Sequence, residues 1–168
     1  MSKSIGNIRL VHEMIKEYKG EVLRMTLLSA HYRHPLNWTK GIIKQNSTML
    51  DRLYRTLKDL EHIDAYTNNH ALPQNILEGF YDDLNTPKVI AELNILTNKV
   101  SKADEEEKSL IKYCLLETGK ILGILQQAPR EWLGYGQSKN LDEVTIENLI
   151  KERNEARRKK NFEMADSI

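Results

Sequence analysis

What this sequence has little of narrows the field first. Its single cysteine, Cys114, excludes an internal disulfide and fits a reducing compartment. No apolar run approaches the roughly 20 residues that a membrane helix needs, and no basic-then-apolar leader is read at its start. Twenty-five basic side chains stand against twenty-four acidic ones. No global field therefore draws the chain to nucleic acid or to a membrane, and any electrostatic site has to be local. Five histidines, His12, His31, His34, His62 and His70, share no metal-ligand spacing with the lone cysteine. No nucleophile-and-base pair, internal repeat or low-complexity tract is evident. Only four prolines and eight glycines interrupt 168 residues, and this scarcity of breakers favours an all-α chain.

What is present is helical periodicity. Leu10, Val11, Met14, Ile15 and Tyr18 share one face, and Lys19-Gly20 reads as the end of that helix. A second helix carries Val22, Leu23, Met25, Leu27 and Leu28. Pro35 then turns the chain out of helix, in a stretch (residues 29–38) rich in polar aromatics and containing Arg33. Thr39 is placed to cap a helix whose stripe runs from Ile42 to Leu60. Pro73 opens another, with Ile76, Leu77, Phe80, Tyr81 and Leu84 in register. Asp82-Asp83-Leu84-Asn85-Thr86-Pro87 reads as a helix end running into a new start, with Thr86 as cap. The stripe Val89, Ile90, Leu93, Leu96, Val100 follows, and then a longer one from Leu110 to Leu125, stopped by Pro129. Residues 128–142 look like a linker in which Trp132 serves as an anchor. A last helix begins near Thr145, and a basic run from Arg157 to Lys160 precedes a new stripe at Phe162.

Three stretches bear on chemistry. Met1-Ser2-Lys3-Ser4-Ile5-Gly6-Asn7 sets a lysine between two hydroxyls and ahead of a glycine, the makings of a mobile phosphate-binding loop. The same residues also suit a frayed polar terminus. Asp82 and Asp83 point about 100° apart on a helix, which suits a solvated turn better than a shared catalytic or metal role. The run Arg157-Arg158-Lys159-Lys160 fits a solvated face and a nucleic-acid backbone contact equally well.

Several of these stretches, in the same order, resemble one family. The opening residues resemble the Lys-Met-Ser-Lys-Ser loop of class I aminoacyl-tRNA synthetases, short of its first lysine. Glu21-Val22-Leu23-Arg24, Leu28-Ser29-Ala30-His31-Tyr32-Arg33 and Pro35-Leu36-Asn37 resemble the segment after that loop in cysteinyl-tRNA synthetases. Asp82 to Pro87 resembles that family's Asp-Asp-Phe-Asn-Thr-Pro element. Gly123-Ile124-Leu125-Gln126-Gln127, Leu149 to Asn154, Ala156-Arg157 and Phe162 to Asp166 match as well.

The resemblance implies four regions: a signature loop and stem-contact fold (1–38), an antiparallel helical tRNA-binding bundle (39–127), a linker (128–142), and the start of an anticodon-recognition domain (143–168). It implies ATP-dependent activation of cysteine and its transfer to tRNA(Cys) by a monomeric, cytoplasmic enzyme. Lys3 would be the catalytic lysine at the ATP phosphates, with Met1, Ser2 and Ser4 completing the loop. Such a lysine stabilises charge that builds as pyrophosphate leaves. Arg24, His31, Tyr32 and Arg33 would lie near the acceptor stem, and Arg153, Arg157 and Arg158 lower on the tRNA. Magnesium would accompany ATP. Zinc would belong to a nucleotide-binding half that these residues do not contain, so no metal site is expected here.

The chain is thus expected to be a piece of such an enzyme, cut at both ends and inactive alone. The alternative is a stand-alone helical tRNA-binding or interaction module. A related ligase that joins cysteine to an amino sugar is disfavoured by the tail from Thr145 to Asp166. Reversing the charge of Arg157 and Arg158 is expected to weaken tRNA binding and flatten its salt dependence, as followed by filter binding across a salt series. Unchanged affinity and slope would return that run to a solvated face.

Overall fold

A computed structural model describes residues 10–66, 71–135, 143–159 and 161–167. Among them the chain is all-α, with no strand. It divides into two compact units, residues 1–129 and 130–168.

In the first unit, α1 (Val11–Glu17) and α2 (Gly20–Leu28) precede a long α3 (Lys40–Asp59). Then come α4 (Gln74–Tyr81), α5 (Thr86–Lys99) with a 3₁₀ turn at Val100–Lys102, and α6 (Glu105–Leu122). Helix α2 packs on α3 and α4 on α5, while α3, α5 and α6 pack on one another. The core between them is led by Met25, Leu50, Leu53, Tyr54, Ile76, Val89, Leu93 and Leu115, all fully buried. Truncating a leucine in such a setting typically costs ~2–5 kcal/mol.

Local chemistry explains most boundaries. Thr39 accepts the Ile42 N–H at 3.2 Å, and Asp104 accepts the Glu107 N–H at 2.8 Å ahead of three glutamates in the first turn of α6. Lys112 Nζ donates to the carbonyls of Leu60 (3.1 Å) and Ile63 (2.5 Å), which serves the C-terminal end of α3.

Four boundaries differ from the periodic reading. Gly20 does not end α1: Tyr18 is already extended, and Gly20 opens α2 behind Lys19. The cap of α5 is Asn85 rather than Thr86, since Asn85 Oδ1 accepts from the Lys88 N–H at 3.2 Å. Thr86 Oγ1 instead donates to the Leu28 carbonyl at 2.7 Å. The stripe of α4 stops at Tyr81, because Asp83 and Leu84 adopt positive φ of 51° and 53°. Helix α6 ends at Leu122, well before Pro129, on a left-handed Gly123 with φ of 66°. The apolar face read for α1 is largely exposed, with only Met14 buried.

The second unit begins at Arg130, within α7 (Pro129–Trp132), which carries the buried Trp132. Helices α8 (Glu143–Arg158) and α9 (Phe162–Ser167) pack together over Ala156. Asn161 Oδ1 accepts from the Met164 N–H at 3.3 Å at the start of α9. Most of the expected stripe of α8, including Ile146 and Ile150, is exposed.

Two glycines are dictated by space. A Cβ on Gly79 would lie 2.6 Å from Val89 Cγ2 and 3.2 Å from the Val89 backbone N, so α4 and α5 meet there nearly backbone to backbone. On Gly123 it would strike the Arg24 guanidinium, a flexible group that can move, so the cost is mainly that of a left-handed non-glycine residue. Gly79→Ala is expected to destabilise by ~1–3 kcal/mol and Gly123→Ala by ~1 kcal/mol. Thermal melts of the two variants in parallel check the order.

Candidate nucleic-acid interface

Residues 29–38 leave α2 and lie against the α4–α5 turn. The left-handed pair Asp83-Leu84 folds that turn back, with the Asn85 N–H donating to the Gly79 carbonyl at 2.8 Å. It thereby carries the Asp83 carboxylate to the loop. Tyr32 Oη donates to Asp83 Oδ1 and Arg33 Nε to Asp83 Oδ2, each at 2.6 Å. Arg33 Nη2 reaches Oδ1 at 3.3 Å, and His31 Nε2 stands 4.0 Å from Oδ2.

The rings form a second layer of order. His31 and Tyr32 stack with centroids 4.9 Å apart, His34 tilts onto His31 at 5.3 Å, and the Arg33 guanidinium carbon sits 5.1 Å over the Tyr32 ring. The Tyr32 residue is 60% exposed. Aromatic and guanidinium planes presented in this way suit unstacked bases. Because Asp83 neutralises Arg33 locally, the cluster offers stacking and hydrogen bonding more than a free positive charge.

The electrostatics follow from the contacts. The Arg33 hydrogen bond, then that of Tyr32, holds the Asp83 carboxyl at about 2, below its ordinary 3.8. The same hydrogen bond raises the pKa of Tyr32, since ionising the phenol would lose the donated proton.

The residues singled out from sequence fall into separate places. Met1, Ser2, Lys3 and Ser4 lie outside the described residues, as does Lys160. His31, Tyr32 and Arg33 come together around Asp83. Arg24 stands apart from them: its Nε donates to the Leu122 carbonyl at 2.5 Å and so serves the C-terminus of α6. Arg153, Arg157 and Arg158 are exposed on α8, in the second unit. Asp83, read from sequence as part of a solvated turn, is instead the centre of the cluster. Nothing local signals this, since its partners lie 50 and 51 residues earlier. Among the described residues no group of three histidine, cysteine, aspartate or glutamate side chains converges to hold a metal ion, and no helix is long and apolar enough to cross a membrane.

A second junction forms at the end of α6. Glu21 Oε2 accepts the Leu125 N–H at 2.9 Å and the Tyr54 hydroxyl at 2.8 Å, while Oε1 accepts the Gln126 N–H at 3.1 Å. Tyr54 Oη accepts in turn from the Gln127 N–H at 3.1 Å. The stretches that resemble the synthetase family therefore meet in pairs: residues 21–24 with 122–126, and residues 28–33 with 83–86.

The family model for the class I (C) tRNA synthetase catalytic domain matches residues 1–48. Over its whole length the chain is 42% identical to the cysteine–tRNA ligase of Parvibaculum lavamentivorans and covers 36% of it. It is also 42% identical to that of Xanthomonas campestris pv. campestris and 41% to that of Maricaulis maris, again over the whole chain and 36% of each relative. The chain thus spans a little over a third of the length of the curated relatives it matches.

Since the depressed pKa of Asp83 comes first from Arg33, Arg33→Ala is expected to raise the Asp83 titration midpoint from about 2 toward 3.8, read by carboxyl NMR. In the unaltered protein the bonds around Asp83 add stability at every pH above about 4 and lose it as pH falls from there to about 2. An Asp83 midpoint unmoved by the substitution would separate the carboxylate from Arg33.

Proposed function

We propose, from a kinship with the cysteine–tRNA ligases that runs the length of the chain, that it supplies the tRNA-facing helical part of such an enzyme together with its ATP-contacting loop. The observation that carries this reading is the identity of about 42% across all 168 residues to relatives of that name. The reaction is activation of cysteine with ATP, releasing pyrophosphate, followed by transfer of the aminoacyl group to tRNA(Cys). ATP works with magnesium. Any zinc is expected in the nucleotide-binding part of such an enzyme rather than in this chain. The expected setting is a monomeric enzyme of the cytoplasm.

Within that reading Lys3 closes over the ATP phosphates, where a compact ammonium does most as negative charge builds in the transition state. Met1, Ser2 and Ser4 shape the loop around it. The His31-Tyr32-Arg33 cluster faces the acceptor stem, and Arg153, Arg157 and Arg158 meet the tRNA further down. Arg24 supports this surface by fixing the end of α6. The exposed Tyr32 and the adjoining Arg33 guanidinium support the RNA assignment, because both reach solvent while held in orientation by Asp83.

A chimaera tests the proposal. When this chain replaces the matching segment of the Parvibaculum lavamentivorans ligase, the product is expected to charge tRNA(Cys) with cysteine. Lys3→Ala in that chimaera is expected to lower cysteine-dependent ATP–pyrophosphate exchange by about 10²-fold or more. The 168-residue polypeptide alone is expected to show no exchange. A folded chimaera that binds no tRNA(Cys), or vigorous exchange by the isolated chain, overturns the reading.

A further inference from the structure

The turn between α4 and α5 commits unusual backbone to one carboxylate. Asp83 and Leu84 hold positive φ of 51° and 53°, a region that suits aspartate better than leucine. Leu84 gains little from burial in exchange, since it is 59% exposed. Backbone of this kind persists where its surroundings over-determine it. Here the Leu84 N–H donates to the Phe80 carbonyl at 3.1 Å, and Asn85 Nδ2 donates to Asp82 Oδ2 at 3.0 Å. Asp82 thus closes the turn, while its neighbour Asp83 receives Tyr32 and Arg33.

Holding those two donors does not by itself require a charge. On α3 the Arg52 guanidinium is held by neutral oxygens, Nη1 donating to Asn94 at 2.9 Å and Nη2 to Asn98. What Asp83 adds is a negative charge at the Arg33 fork. Arg33 Nε and Nη2 reach the two Asp83 oxygens at 2.6 and 3.3 Å, the paired contact that a guanidinium also makes to phosphate. Asp83 therefore fills the edge of Arg33 that a phosphate would take, and it repels phosphate from the same place. Beside exposed rings the distinction has a consequence for binding. Attraction to phosphate is the same for every sequence and draws duplex and single strand alike. Aromatic faces take only bases that are free to leave the stack.

We propose that Asp83 determines the specificity of the His31-Tyr32-Arg33 cluster: it masks Arg33 from phosphates and so confines the cluster to the unpaired end of an RNA stem. The inference rests on the RNA reading of that cluster above and adds what the cluster refuses, namely duplex backbone.

Fluorescence anisotropy of the 168-residue chain, across a potassium chloride series, compares a blunt RNA hairpin with the same hairpin carrying a single-stranded 3′ extension. Wild-type chain is expected to prefer the extended hairpin. Asp83→Asn keeps an oxygen for Tyr32 and Arg33 and tolerates left-handed backbone, so its thermal melt is expected to stay close to wild type. It is expected to bind the blunt hairpin about threefold or more tightly at low salt, with a salt slope steeper by about 1, and to lose most of the preference. Asp83→Gly, equally suited to positive φ, is expected to show the same steeper slope. Adding Arg33→Gln to Asp83→Asn is expected to return the blunt-hairpin affinity and slope to wild-type values, a reversal that a merely structural role of Asp83 does not give. Unchanged blunt-hairpin affinity and slope in both Asp83 variants overturn the proposal, and a wild-type preference for the extended hairpin in the same experiment leaves the RNA reading standing. Weaker binding of both hairpins by Asp83→Asn with an unchanged melt also overturns it, since Asp83 then only orients the cluster. Wild-type chain that binds neither hairpin overturns the proposal and the RNA reading together.

Discussion

One carboxylate, that of Glu21 in the first turn of α2, sets how three helices meet. It accepts two successive N–H groups, from Leu125 and Gln126, and the hydroxyl of the buried Tyr54. Successive amides converge on one anion because Leu125 takes a positive φ of 59° just after the left-handed Gly123. Without such an acceptor the amides that leave α6 and the Tyr54 hydroxyl would each need another partner in a crowded junction, at the usual cost of an unmade hydrogen bond. Burial, followed by the bond to Glu21, pushes the Tyr54 pKa well above that of an ordinary phenol, so the hydroxyl remains a donor. The chain consequently enters α2, crosses α3 and leaves α6 through a single polar knot.

Arg24 completes that knot from one turn further along α2 by donating to the Leu122 carbonyl. It places a cation where the helix dipole is negative and where the last carbonyls lack intrahelical partners. A residue that looks like an RNA contact in sequence thus has a folding duty first. The loop at 29–38 is held in a comparable way from a second direction, by the Thr86 hydroxyl on the Leu28 carbonyl and by Asp83 beneath Tyr32 and Arg33. Both anchors rest on left-handed backbone just past the end of a helix. In each case the unusual turn carries a polar group to a partner far away in sequence.

The family resemblance of these stretches takes on physical content from this arrangement. Glu21 to Arg24 and Gly123 to Gln127 are separate motifs along the chain and one junction in space. The same holds for Leu28 to Arg33 and Asp82 to Pro87. Similarity to cysteine–tRNA ligases and the all-α class were both legible from residues alone, the first through ordered motifs and the second through period-3.6 stripes with few breakers. The cap at Thr39 was legible because an N-cap is a local bond between residues three apart.

Much of what escaped the sequence was settled by partners far along the chain. Asp83 looked like a solvated turn because its neighbours are polar and its partners lie some fifty residues away. The α6 stripe suggests a helix as far as Leu125, yet Glu21 and Arg24 draw the chain out at Gly123. Arg52 is one charged residue among 49 until packing sets the side chains of Asn94 and Asn98 against it. Periodicity, composition and ordered motifs thus suffice for helix class, most helix starts and family resemblance, because each is written in residues near one another. Which arginines are neutralised, which stay cationic and which merely hold a helix end are matters of packing, because charge is cancelled or spared by whatever the fold brings alongside it.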